Sequence, residues 1–139
     1  MRKITLLLII TGIVNLLYSQ NDTIDSQNMD INYTREASYP GGMNKLIGDI
    51  WNSMEFTQEA IDKKIDETLM VSFDVNRDST ISGIILLNNI GYGVDEEFIR
   101  VLGKYKFLPA LAQGNPIKQN VIISIPIRTG PNSKKKSNN

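Results

Sequence analysis

The sequence predicts an α+β fold: a two-layer sandwich in which a three-stranded antiparallel sheet, built in the order helix-strand-strand-helix-strand, carries helices packed on it. Three observations lead there. Between Leu69 and Val75, apolar Leu69, Val71, Phe73 and Val75 alternate with polar Ser72 and Asp74, the period of a strand with one face on a core and the other toward water. Polar Asn76 to Thr80 follow, then a second aliphatic run through Ile81, Ile84, Ile85, Leu86 and Leu87, so that the two runs close a hairpin. Near the C-terminus Val121, Ile123, Ile125 and Ile127 repeat the two-residue period, and helical periodicities lie on either side of the hairpin.

Each element has its own local reason. Tyr39-Pro40-Gly41-Gly42 breaks the chain ahead of Met43, Leu46, Ile47, Ile50, Trp51 and Met54, whose three- and four-residue spacing predicts a helix with one apolar face and puts Trp51 in the core. Thr57 is the N-cap of a short helix from Gln58 to Ile65, with Glu59 in the first turn, where negative charge suits the helix dipole. Asp and Asn tolerate left-handed backbone and bond their own main chain, so Asn76 to Thr80 can turn without Gly. Consecutive Ile84, Ile85, Leu86 and Leu87 load both faces of the second strand, which predicts that either the Met43 to Met54 helix or a second chain covers the far face.

Beyond the hairpin, Asp95 is placed to cap a helix that carries Glu96 and Glu97 in its first turn. Its buried stripe is Val94, Phe98, Val101 or Leu102, and Tyr105. Pro109 disfavours helix at Leu108 and removes a donor, which stops that helix. Gln113-Gly114-Asn115-Pro116 is a turn into the third strand, within which Pro126 has no amide to give a ladder, so the strand keeps one unpaired side near its end.

Composition removes several function classes. At 139 residues the chain is one domain with a single modest core. It has 15 basic and 15 acidic residues, with no electrostatic footprint for duplex nucleic acid. It contains no Cys and no His, which excludes disulfides, thiolate catalysis, His-ligated zinc and a Ser-His-Asp triad. Acids gathered in the first turn of a helix serve its dipole, and the remaining carboxylates are scattered through turns, so no catalytic constellation, metal site or cofactor site is expected and the protein reads as non-enzymatic.

Residues 1–20 have the three-part layout of a secretory signal peptide: Arg2 and Lys3, a largely apolar run from Ile4 to Leu17, then Tyr18, Ser19 and Gln20. That run is shorter than the roughly 20 apolar residues of a membrane-crossing helix. Cleavage after Ser19 is the preferred reading, with an uncleaved anchor as the alternative. The organisation is then a signal peptide at 1–19, a flexible N-terminal segment at 20–38 with a short edge strand around Met29 to Tyr33, a folded domain at 39–129 and a disordered basic tail at 130–139.

Six short patterns in this order point to a family. They are Tyr39-Pro40-Gly41-Gly42; Phe56-Thr57 with Ala60; Val71, Phe73 and Val75 ahead of Asp78-Ser79; Tyr105-Lys106-Phe107-Leu108-Pro109-Ala110; Gly114-Asn115-Pro116-Ile117; and Pro126 in the last strand. On these residues the chain resembles the C-terminal domain of TonB, the periplasmic end of the energy transducer of Gram-negative bacteria, in the subset that opens with aromatic-Pro-Gly-Gly. The resemblance covers about residues 39 to 128. It implies that the final strand, at Val121, Ile122, Ile123, Ser124 and Ile125, pairs with an extended segment of an outer-membrane receptor or other envelope protein by β-augmentation. It further implies a periplasmic location and transport-linked protein binding, with a homodimer possible and with neither nucleic acid nor a small-molecule substrate as partner. Unlike TonB itself, the chain has no His in its leader and no Pro in the 19 residues from Gln20 to Ser38. The binding module is therefore preferred over the alternative, a short energy transducer held in the inner membrane by an uncleaved N-terminal helix.

Overall fold

The computed structural model describes residues 34–137, and the predicted leader and the predicted strand at Met29 to Tyr33 lie outside them. Within that span the chain forms α1 (Gly42–Ser53), α2 (Gln58–Asp62), β1 (Asp66–Val75), β2 (Ile81–Leu86), α3 (Val94–Leu102), β3 (Ala110–Ala112), β4 (Asn115–Ile117) and β5 (Gln119–Arg128). The main sheet has the order β2-β1-β5, both pairings antiparallel, and β3 with β4 makes a separate small hairpin. This is the α+β arrangement expected from the alternating runs.

The odd-numbered residues of β1 and β5 build the core. Leu69, Val71, Phe73 and Val75 are buried together with Ile123, Ile125 and Ile127, and against them lie Leu46, Ile50 and Met54 of α1 and Val94, Phe98, Val101 and Leu102 of α3. Phe73, Phe107 and Tyr39 meet edge to face at centroid distances of 5.1 and 5.4 Å, a favoured geometry for ring quadrupoles. The Tyr105 hydroxyl donates to the Asp49 carbonyl (2.7 Å) and lies 2.8 Å from Ser53 Oγ, tying the end of α3 to α1. Both helices therefore cover one face. Of the two covers expected for the far face, α1 is not the one, since it packs on the core side with α3, and no described element covers that face.

A bulge explains how one face can be left bare although Ile84 to Leu87 are all apolar. Ser72 pairs with Ile85 but Asp74 pairs with Ser82, so Gly83 and Ile84 together oppose Phe73. Gly83 sits at φ 62°, where a side chain is disfavoured. The extra residue turns Ile84 and Leu86 toward the core and leaves Ile85 and Leu87 outside.

The local signals hold with some shifts. Thr57 caps α2 as predicted, its Oγ1 accepting from Ala60 N at 3.1 Å, but α2 ends at Asp62, before Lys64 enters the left-handed region at φ 51°. Gly41 of the Tyr-Pro-Gly-Gly element stands at φ 90° ahead of α1, and a Cβ there would lie 2.5 Å from Lys45 Cδ. The N-cap of α3 is Gly93 rather than Asp95, whose carboxylate instead accepts from the amides of Ile90 and Gly91 (3.0 Å each) and closes the preceding turn. Gln113 and Gly114, both at positive φ, make the turn of the β3-β4 hairpin, whose three-residue strands are too short for a periodic signal. The segment from Thr34 to Ser38 joins the fold through backbone bridges from Arg35 to Leu111 and from Ser38 to Leu108.

The C-terminal tail also departs from expectation. Phe56 N donates to Lys134 O (2.8 Å) and Lys136 N to Phe56 O (2.9 Å), a short parallel bridge, while the Thr129 hydroxyl donates to Ala60 O (2.6 Å). Gly130 to Lys136 is thus docked on the α1–α2 connection rather than trailing free.

Candidate partner-binding edge

Which flank of β5 is open follows from hydrogen-bond parity. Met70 O accepts from Leu87 N (2.8 Å) and Asn76 N donates to Thr80 O (2.8 Å), so the even-numbered residues of β1 exchange bonds with β2. Its odd-numbered residues face β5, as the bond from Thr129 N to Ile65 O (2.9 Å) shows at the end of the ladder. In the observed register odd pairs with odd: Leu69 with Ile125, Val71 with Ile123, Phe73 with Val121. The main-chain groups of Asn120, Ile122, Ser124, Pro126 and Arg128 consequently point away from β1, because in an antiparallel pair residues alternate between bonding inward and outward. Among the described residues no strand lies beside them.

The five predicted site residues thus divide. Val121, Ile123 and Ile125 spend their amides and carbonyls on β1, and Ile123 and Ile125 bury their side chains in the core. Ile122, 60% exposed, and Ser124, also exposed, carry the outward amides and carbonyls. Pro126 marks this parity, since a residue without an N–H fits only where no ladder bond is required. That signal was present in the sequence and assigns Asn120 and Arg128 to the same flank.

Trp51 is the functional candidate that sequence reasoning placed wrongly. Instead of lying in the core it is 43% exposed, and its indole Nε1 donates to Pro126 O at 2.8 Å. The ring therefore stands at the C-terminal end of the open flank and occupies the one outward carbonyl that Pro126 offers. The other end is set by charge. Lys118 pairs with Asp74 (2.8 Å) and Asn120 Nδ2 donates to the same carboxylate (3.0 Å), which together hold the Asp74 carboxyl below its ordinary pKa.

The far face of the sheet adjoins this flank. Ile85, Ser72 and Ile122 form one cross-strand row, and Met70 and Ser124 stand in the next, with Leu87 bonded to Met70. Ile85, Ile122, Met70 and Leu87 are all exposed, so an apolar strip crosses the three strands and ends at the open edge.

The acids of α3 have structural work. Glu97 is 3% exposed, accepts from Glu55 N (2.9 Å) and is clasped by the Arg100 guanidinium. Asp95 closes its own turn, so the two carboxylates do not share a cleft. Among the described residues no group of three or more acidic side chains is arranged to hold a metal ion, and no helix is long and apolar enough to cross a membrane. No protein-family model matches the chain, and no curated protein matches it.

Proposed function

We propose that the protein is a non-enzymatic, TonB C-terminal-like binding module that takes an extended segment of an envelope protein onto the outer flank of β5, in the periplasm, to which its leader directs it. One observation carries the reading: on β5 the outward main-chain groups of Ile122 and Ser124 have no neighbouring strand among the described residues, while β1 saturates the other flank. A visiting strand that bonds there extends the sheet to four strands and gains main-chain hydrogen bonds without disturbing the core. The order of helices and strands and the motif residues from Tyr39 to Pro126 support the family likeness.

Parity supplies a sharp test. Ser124→Pro removes an amide that points outward, so the fold should persist and capture of envelope partners by the full chain should be lost. Ile123→Pro removes an amide bonded to β1, leaves its acceptor unpaired and should cost about 1–3 kcal/mol of stability. Undiminished capture of envelope partners by a folded Ser124→Pro chain would remove β5 as the binding edge. Export is read separately, by sequencing the N-terminus of the protein recovered from the periplasm, where Gln20 is expected first.

A further inference from the structure

Among the outward-facing residues of β5, Pro126 is the one that can neither give nor accept a ladder bond. It has no amide to donate. Its carbonyl is already taken, since Trp51 Nε1 donates to Pro126 O at 2.8 Å. The residues on either side of it differ: the outward main-chain groups of Asn120, Ile122, Ser124 and Arg128 meet no partner among the described residues. A proline in β5 and an indole on α1, 75 residues apart, thus silence the same place.

The needs of α1 do not explain this bond. That helix is already anchored by Leu46, Ile50 and Met54, all fully buried, and by the hydroxyls of Tyr39 and Tyr105, which donate to the carboxylate and the carbonyl of Asp49. Trp51 is 43% exposed, and a hydrogen bond open to water adds little to a helix held in that way. The bond matters far more to a guest strand. In either strand direction a guest running past Pro126 would bring up an amide and a carbonyl that find nothing to pair with. Both would be partly desolvated against the sheet edge without a partner, which costs more than a made bond returns.

Resting on the β5 reading above, we infer that Trp51 is a positioning residue that fixes where a guest strand stops: by holding the Pro126 carbonyl it ends the intermolecular ladder at Ser124. Register follows from the same device. A guest is bonded by Ile122 and Ser124 and has to leave the sheet before Arg128, although Arg128 again offers an outward amide and carbonyl. Without the indole N–H, the Pro126 carbonyl would accept from the guest, and the ladder would continue to Arg128.

Trp51 is the only Trp in the chain, so protein made with benzothienylalanine in place of tryptophan keeps the bicyclic ring and loses this one N–H. Amide exchange of the full chain would be followed by NMR, alone and with an end-blocked peptide of alternating Thr and Val as long as β5. In the parent the peptide should slow the amides of Ile122 and Ser124 by about tenfold or more and leave Arg128 at its free rate. In the analogue, and likewise in Trp51→Phe, the Arg128 amide should be slowed as well. The peptide should then bind about fivefold more tightly, the size of one added main-chain bond. If Trp51 served only to tether α1, the analogue would lose stability and keep the parent's exchange pattern, and that result overturns the inference. An Arg128 amide already slowed in the parent also overturns it and leaves the edge standing. Should the peptide slow none of these amides in the parent, the edge reading itself fails and this inference falls with it.

Discussion

Glu97 shows how a first-turn acid, expected to serve the helix dipole, takes on a specific packing role as well. Its carboxylate is buried, fixes the Glu55 amide and so pins the α1–α2 connection to α3, with the Arg100 guanidinium compensating the charge. That guanidinium holds the Glu97 carboxyl below the ordinary glutamate range. A depressed folded pKa means that the group stabilises the fold fully above its unfolded pKa and that the contribution fades as pH falls through the folded one. Glu97→Gln should therefore cost about 1–2 kcal/mol at neutral pH, and the gap between variant and parent in urea unfolding should narrow below about pH 4.3. A gap that does not change with pH would mean that the ion pair contributes nothing. Tyr39 shows the opposite shift. Burial, then its hydrogen bond to the Asp49 carboxylate (2.7 Å), pushes the phenol up to about 12, so it stays a donor at any pH the fold meets.

At the scale of elements, short polar signals proved more legible than distant ones. Thr57 capped the helix it was expected to cap because the interaction spans only three residues. Asp95 missed its expected place by two residues because Gly93, at φ 78°, turns the chain earlier and leaves the carboxylate free to bind the preceding loop. The bulge in β2 was visible only as an oddity, four consecutive aliphatic residues after a Gly. Its conformation should be testable without a steric confound, because a Cβ on Gly83 would meet its nearest neighbour, Asp74 Oδ2, at an ordinary 3.5 Å. Gly83→Ala should then lose about 1–2 kcal/mol through the left-handed backbone alone. A neutral effect on thermal unfolding would show that the bulge relaxes, in which case the exposure of Ile85 should also change.

For the whole molecule the contrast lies between two sets of apolar residues of similar chemistry. Phe73, in the core with Phe107 and fully buried, should cost about 3–5 kcal/mol when truncated to Ala. Ile85 and Ile122, about three-fifths exposed on the uncovered face, should change stability by less than about 0.5 kcal/mol each when replaced by Thr. The double Thr variant should also show less association in concentrated solution by light scattering, since the strip it interrupts is an apolar surface the described sheet leaves open. A large destabilisation from that pair would mean that some part of the chain covers the face.

The alternation of Leu69 to Val75 and of Val121 to Ile127, with the two helical stripes, was enough to determine the α+β class, the antiparallel pairing and the side of β1 and of β5 that enters the core. These depend on side-chain period, which neighbouring residues express by themselves. Even the open flank of β5 was encoded locally, by the missing amide of Pro126. The tertiary structure alone decided that α1 and α3 share one face, that Trp51 leaves the core to meet Pro126 O, and that residues 130–136 fold back on Phe56. Each of those outcomes joins groups dozens of residues apart, and an apolar stripe specifies that a face must be buried without specifying which partner buries it.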